Sequence, residues 1–208
     1  IKGRKTSIFL FDTNAVMHSL RLVYPELMDP QIVISMPNQV IVSASERDPI
    51  ILWQAGGSTY WIDAEGIVME KRGDLPDLLT VESSVPPPLA QINTRANSIV
   101  DYARMIIERQ SSDVTIDRLV DHMDPGALGA VIELSTMLPA GGSLIYDPIS
   151  GMGWRDPGGW EVYFGTDLSH MELKQVEYQT ILARLTETGV TPAMISVEHI
   201  DAPYFRME

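Results

Sequence analysis

The stretch Pro37 to Trp53, PNQVIVSASERDPIILW, decides how the chain is read. Val40, Val42 and Ala44 recur at every second position, the period of a half-buried strand, and Pro37-Asn38 supplies a turn before them. The strand then runs into Glu46-Arg47-Asp48-Pro49, where proline fixes φ near −65° and removes a donor, and an apolar run begins at once. One strand is therefore expected to close a module and the next to open another.

Upstream, Asp12 is placed to cap a helix starting at Thr13, along which Val16, Leu20 and Val23 recur at helical spacing before Pro25 ends it. From Gln31 the period changes to two, with Ile32, Ile34 and Met36 on one face, so a helix followed by a hairpin is expected over the first 50 residues. Downstream, Gly56-Gly57 and the stretch Asp63 to Gly66 read as hairpin turns, and VPPPL (Val85 to Leu89) as a stiff extended connection. Ile99, Tyr102, Ala103, Ile106 and Ile107 predict a helix over about 96–110. Asp121 to Gly126, DHMDPG, reads as a turn. GWEVYFG (Gly159 to Gly165) is a strand, and the longest helical pattern spans Leu168 to Thr188, with Leu173, Val176, Ile181 and Leu185 as its apolar face and Gly189 as its stop. A last strand is expected over Ala193 to Ile200, AMISVEHI. The fold class expected is α+β, with a first module over residues 1–50 and a mainly antiparallel β domain backed by helices over 51–208.

Composition restricts function. The 208 residues carry a net charge of −13, which repels a nucleic-acid backbone, and Lys2, Arg4 and Lys5 form the only tight basic cluster. There is no cysteine, so disulfides, thiolate zinc sites and cysteine nucleophiles are excluded. No run of about 18 uncharged apolar residues exists to span a bilayer, and the start does not read as a signal peptide, so the chain is expected to be an excised soluble part of a larger protein. His18, His122, His170 and His199 are scattered without metal-ligand spacing, and GMGWRDPGG (Gly151 to Gly159) lacks the spacing of a phosphate loop. Asp74 with Asp77, and Asp113 with Asp117, are carboxylate pairs of the kind expected by chance among 28 acidic residues. Trp53, Tyr60, Trp61, Trp154 and Trp160 read as packing residues before a ligand platform. Neither catalytic residues nor a cofactor or metal is expected.

The series GRKTSIFLFD, helix, YPELMDPQIVISMPNQVIVSASERDPIILW, YWIDAEGIV and LPDL resembles the extracytoplasmic part of the FtsQ/DivIB family of bacterial cell-division proteins. In that family a POTRA module ends in a P-x-x-[VIL]-x-[VIL]-x-x-x-E-R-x-P strand, matched here by Pro37, Val40, Val42, Glu46, Arg47 and Pro49. The next hairpin carries an aromatic-x-x-D-x-x-G turn, matched by Tyr60, Asp63 and Gly66. The closing order of strand, glycine, helix, strand and tail is similar to GWEVYFG onward, whereas residues 111–158 match weakly.

The resemblance implies a non-enzymatic bitopic scaffold of the divisome in the bacterial cell membrane at the septum. A single membrane helix would precede this chain, and the POTRA module would lack its first strand and helix here. It implies FtsB and FtsL (DivIC in some bacteria) as partners of the second domain and other division proteins at the POTRA module. The partner would add a strand beside Ser196, Val197, Glu198, His199 and Ile200, with Tyr204 and Phe205 as anchors. In the family that strand carries a basic residue and an aromatic where this chain has Glu198 and His199. Glu46, Arg47 and Pro49 are expected at the seam between modules. The alternatives are a POTRA-bearing protein of outer-membrane assembly or secretion, and a secreted cell-wall glycan hydrolase.

Overall fold

A computed structural model describes residues 12–35, 37–90, 120–167 and 169–207. The helix expected over 96–110 and the Asp113/Asp117 pair lie outside them. The fold is α+β, and the chain divides into two compact units, 1–48 with 91–121 and 49–90 with 122–208, first passing from one to the other between Asp48 and Pro49.

In the first unit, α1 (Thr13–Val23) starts where expected: Asp12 keeps an extended backbone and its carboxylate accepts from the amides of Asn14 (3.0 Å) and Ala15 (3.1 Å). The helix closes with the Tyr24 amide donating to the Leu20 carbonyl, immediately before Pro25. Strands β1 (Leu27–Ser35) and β2 (Gln39–Glu46) form an antiparallel pair in which Ile32 faces Val42 and Ile34 faces Val40, the register that the period-two pattern requires. The register slips between Met28 and Gln31, where Asp29 has a positive φ and Pro30 has no amide to give the ladder.

The second unit is one nine-stranded sheet, mostly antiparallel. Its strands are β3 (Pro49–Ala55), β4 (Ser58–Asp63), β5 (Val68–Glu70), β6 (Leu79–Ser83), β7 (Ser143–Asp147), β8 (Gly151–Arg155), β9 (Glu161–Gly165), β10 (Met194–Ser196) and β11 (Tyr204–Arg206). They are ordered β11-β10-β9-β8-β7-β6-β3-β4-β5, parallel at β3/β6, β6/β7 and β9/β10 and antiparallel elsewhere. Gly56-Gly57 and Asp63 to Gly66 make the expected turns; the Asp63 carboxylate accepts from the amides of Glu65 and Ile67.

One row of side chains crosses the sheet from strand to strand: Trp53, Val81, Leu144, Trp154, Val162 and Ile195 stand opposite one another in register, and all are buried. This row is the centre of the core. Helices α2 (Pro125–Met137) and α3 (Met171–Thr188) cover it with Ala130, Val131 and Leu134 from one and Met171, Tyr178 and Leu185 from the other. Trp154 packs on Phe164 at 4.6 Å between ring centroids and edge-on to Tyr178 at 5.5 Å. The Trp53 indole donates to the Val85 carbonyl at 3.0 Å, so the proline-rich connection is tied to the sheet at its first residue.

Three expectations need correction. Asp121 to Gly126 is not a turn: Asp124 accepts from the Ala127 amide and Pro125 is the first residue of α2. The helix expected from Leu168 runs from Met171, and its buried face is Met171, Lys174, Tyr178 and Leu185, while Leu173 and Val176 are exposed. The face is turned because Lys174 finds carbonyl partners inside. Finally, the last strand does not run from Ala193 to Ile200. The strand there is β10, Met194–Ser196, paired with β9 from Glu161 to Tyr163, and β11 follows it as the last.

Candidate protein-docking edge

Among the described residues, β11 is one edge of the large sheet, paired with β10 on one side only. Ile195 faces Phe205 in the ladder, so Phe205 is the next member of the buried row, yet it is 43% exposed. The core row therefore runs past the end of its cover. Tyr204 and Arg206 stand on the opposite face, Tyr204 47% exposed, and Met207 follows them into solvent.

That opposite face is polar. Arg155 bonds Glu82 at 2.7 Å and Glu161 at 3.1 Å, and the Tyr163 hydroxyl donates to Glu161 at 2.9 Å. Burial, followed by the Glu161 carboxylate, pushes the Tyr163 hydroxyl well above the usual tyrosine range. A strand added outside β11 would thus meet Phe205 on one face and Tyr204 with Arg206 on the other, while exchanging backbone hydrogen bonds with β11 itself.

The residues expected to form the partner strand are divided by the structure. Ser196 and Val197 are buried, and the Val197 amide donates to the Tyr163 carbonyl at 2.9 Å. Glu198 and Ile200 are half-buried in the connection to β11, and His199 is exposed with Nε2 4.0 Å from the Glu198 carboxylate. Tyr204 and Phe205 lie in the edge strand. The tail expected to dock outside the sheet is its last strand, and the segment expected at the edge is one place further in. Sequence reading missed this because two three-residue strands separated by a turn (Ala202 amide to His199 carbonyl, 3.1 Å) and a proline give no periodic signal.

At the other end of the reading, Glu46 closes β2 opposite Leu27. The Arg47 amide donates to the Glu26 carbonyl (2.8 Å) and its Nε to the Pro25 carbonyl (3.2 Å), binding the end of β2 to the exit of α1 within the first unit. Pro49 opens β3 opposite Asp63. Asp74, of the chance carboxylate pairs, lies 2.6 Å from Lys71, whose ammonium holds its carboxyl below the usual range.

No family profile matches this chain. It is similar to the cell division protein FtsQ of Chloroflexus aurantiacus, 28% identical over 112 residues that make up 51% of this chain and 41% of that protein. It is also similar to the cell division protein FtsQ of Chloroflexus aggregans, 27% identical over 132 residues, 64% of this chain and 39% of that protein. The chain thus spans about two fifths of the length of these curated relatives. The likeness to FtsQ thus covers half of this chain or more at low identity.

Proposed function

We propose that this chain is the extracytoplasmic part of a non-enzymatic scaffold of bacterial cell division. It joins division proteins at the septum and is held in the cell membrane by a single helix preceding Ile1. Its first unit, with α1 against the β1/β2 hairpin, serves as a POTRA-like module, and its second unit is the partner-binding β domain, contacting FtsB-like and FtsL-like proteins. Two relatives named cell division protein FtsQ support the cell-division role. Glu46, Arg47 and Pro49 mark the place where the chain passes from one unit to the other.

The observation that carries the docking reading is the core row ending on a half-covered Phe205 in a one-sided edge strand. An edge of this kind is a liability unless something covers it, and a partner strand satisfies both its backbone groups and its aromatic side chain. Glu198, His199 and Ile200 then act from the connection behind the edge, and Ser196 and Val197 as the floor beneath it.

The test is a titration of the chain with a peptide from the FtsB-like protein of the same organism. Phe205→Ala and Tyr204→Ala together should weaken binding by about tenfold or more, the scale of a buried aromatic anchor. Wild-type affinity in the folded double variant would remove β11 as the site. Ile200→Asp probes the connection, and an effect confined to that variant would move the site from the strand to the loop.

A further inference from the structure

Lys174 is the one cation buried among the described residues, at 2% exposure, and nothing in the docking reading uses it. A buried ammonium must have partners, and here they are backbone carbonyls: Nζ donates to Phe164 at 2.7 Å and also to Asp167. Both carbonyls lie at the exit of β9.

Between them stands Gly165, with φ of +88°. The Glu198 side chain lies against it, so closely that a Cβ on Gly165 would come within 2.7 Å of Glu198 Cγ and 3.5 Å of Glu198 Cα. One residue earlier, the Val197 amide is bonded to the Tyr163 carbonyl. The exit of β9 is therefore the floor on which the chain from Val197 to Glu198 rests as it leaves β10 for β11.

Charge reinforces the geometry. The Lys174 ammonium is drawn to the carboxylates of Asp167, Glu198 and Glu177, which partly offset the burial that lowers its pKa. Glu177 has a buried Oε2 without a hydrogen-bond partner among the described residues, and Asp201 acts on it in turn. On the connection itself, His199 Nε2 lies 4.0 Å from the Glu198 carboxylate. One positive charge thus stands among acids from the β9 exit, from α3 and from the connection that carries the edge strand.

We propose that Lys174 is a positioning residue for β11. Its ammonium fixes the exit of β9, and through Gly165 and Glu198 the connection from Val197 to Pro203, so that Phe205 stands at the end of the core row. This goes beyond the docking reading and holds whether or not a partner binds there.

The experiment is hydrogen exchange on the free chain, with no partner peptide. Three amides report the connection and its anchors: Ala193, bonded to the Arg206 carbonyl, Val197, bonded to Tyr163, and Ala202, bonded to His199. Lys174→Met should speed exchange at these by at least about tenfold relative to Leu144 and Trp154 in the sheet centre. Glu198→Ala, which removes no buried cation, should produce a weaker change at the same amides. Acceleration spread evenly over the second unit would make Lys174 a general support of the fold and overturn the proposal. Unchanged exchange at the three amides would overturn it too. Should Lys174→Met fail to fold, Glu198→Ala decides by the same two criteria.

Discussion

At the residue scale, the sheet depends on positions where a side chain has no room. Gly153 sits in β8 opposite Tyr163 of β9, and a Cβ there would run into the Val162 carbonyl oxygen. Backbone cannot yield as a flexible side chain can, so the two strands would have to part, next to Trp154 and Val162 in the core row. Tyr163 also lies directly across from this glycine in the ladder, the arrangement in which an aromatic shields an exposed stretch of backbone. Gly153→Ala should cost roughly 3 kcal/mol, the upper range for overpacking. The check is a urea titration in which the midpoint falls and the slope is unchanged. A variant as stable as the parent would mean that β8 and β9 are further apart than the geometry places them.

At the element scale, what could be read from the sequence was local chemistry. The Asp12 cap, the Ile32/Val42 register, the Gly56-Gly57 turn and the Asp63 turn each follow from a few neighbouring residues, and each formed. Element identity failed where one dipeptide serves two ends. Asp124-Pro125-Gly126 has the residues of a turn, but Asp before Pro is also the start of a helix, with the carboxylate on a free amide and proline at the first position, where its missing donor costs nothing. On the expected face of α3 Leu185 is buried and Ile181 packs on the core, whereas Leu173 and Val176 failed for a different reason. Lys174 counts as polar in any periodic pattern, and only the carbonyls at the end of β9, far from it in neither space nor function but unreadable as partners from sequence, turn it inward. The parallel pairing of β6 with β3 and β7, across a long excursion of chain, had no local signal at all. Asp124→Ala tests the cap: it should destabilise the second unit by about 1 kcal/mol, with the loss of helical signal confined to α2. A helix that persists at full stability would show that the packing of Ala130, Val131 and Leu134 holds it without the cap.

At the scale of the whole molecule, the opening stretch carries the chain from one unit into the other within four residues, Glu46 to Pro49. Arg47 uses its amide on the Glu26 carbonyl and its Nε on the Pro25 carbonyl, and both of these bonds lie within the first unit. Pro49 then starts β3 with φ restricted by its ring, and a proline at the first residue of a strand gives up no ladder bond that an interior one would. If the seam proposed for Glu46, Arg47 and Pro49 sets the direction in which the chain leaves the first unit, loosening Arg47 should act on two observables at once. Arg47→Ala should lower the stability of the first unit by about 1 kcal/mol, the net worth of a part-buried hydrogen bond, and leave the unfolding of the second unit unchanged. It should also broaden the distribution of interatomic distances in solution scattering, because Asp48 and Pro49 would then follow a strand end held to α1 by the backbone amide of residue 47 and no longer by its side chain. A scattering profile identical to the parent's, alongside the expected loss in the first unit, would confine Arg47 to fastening β2 to α1 and leave the exit direction to Pro49 alone.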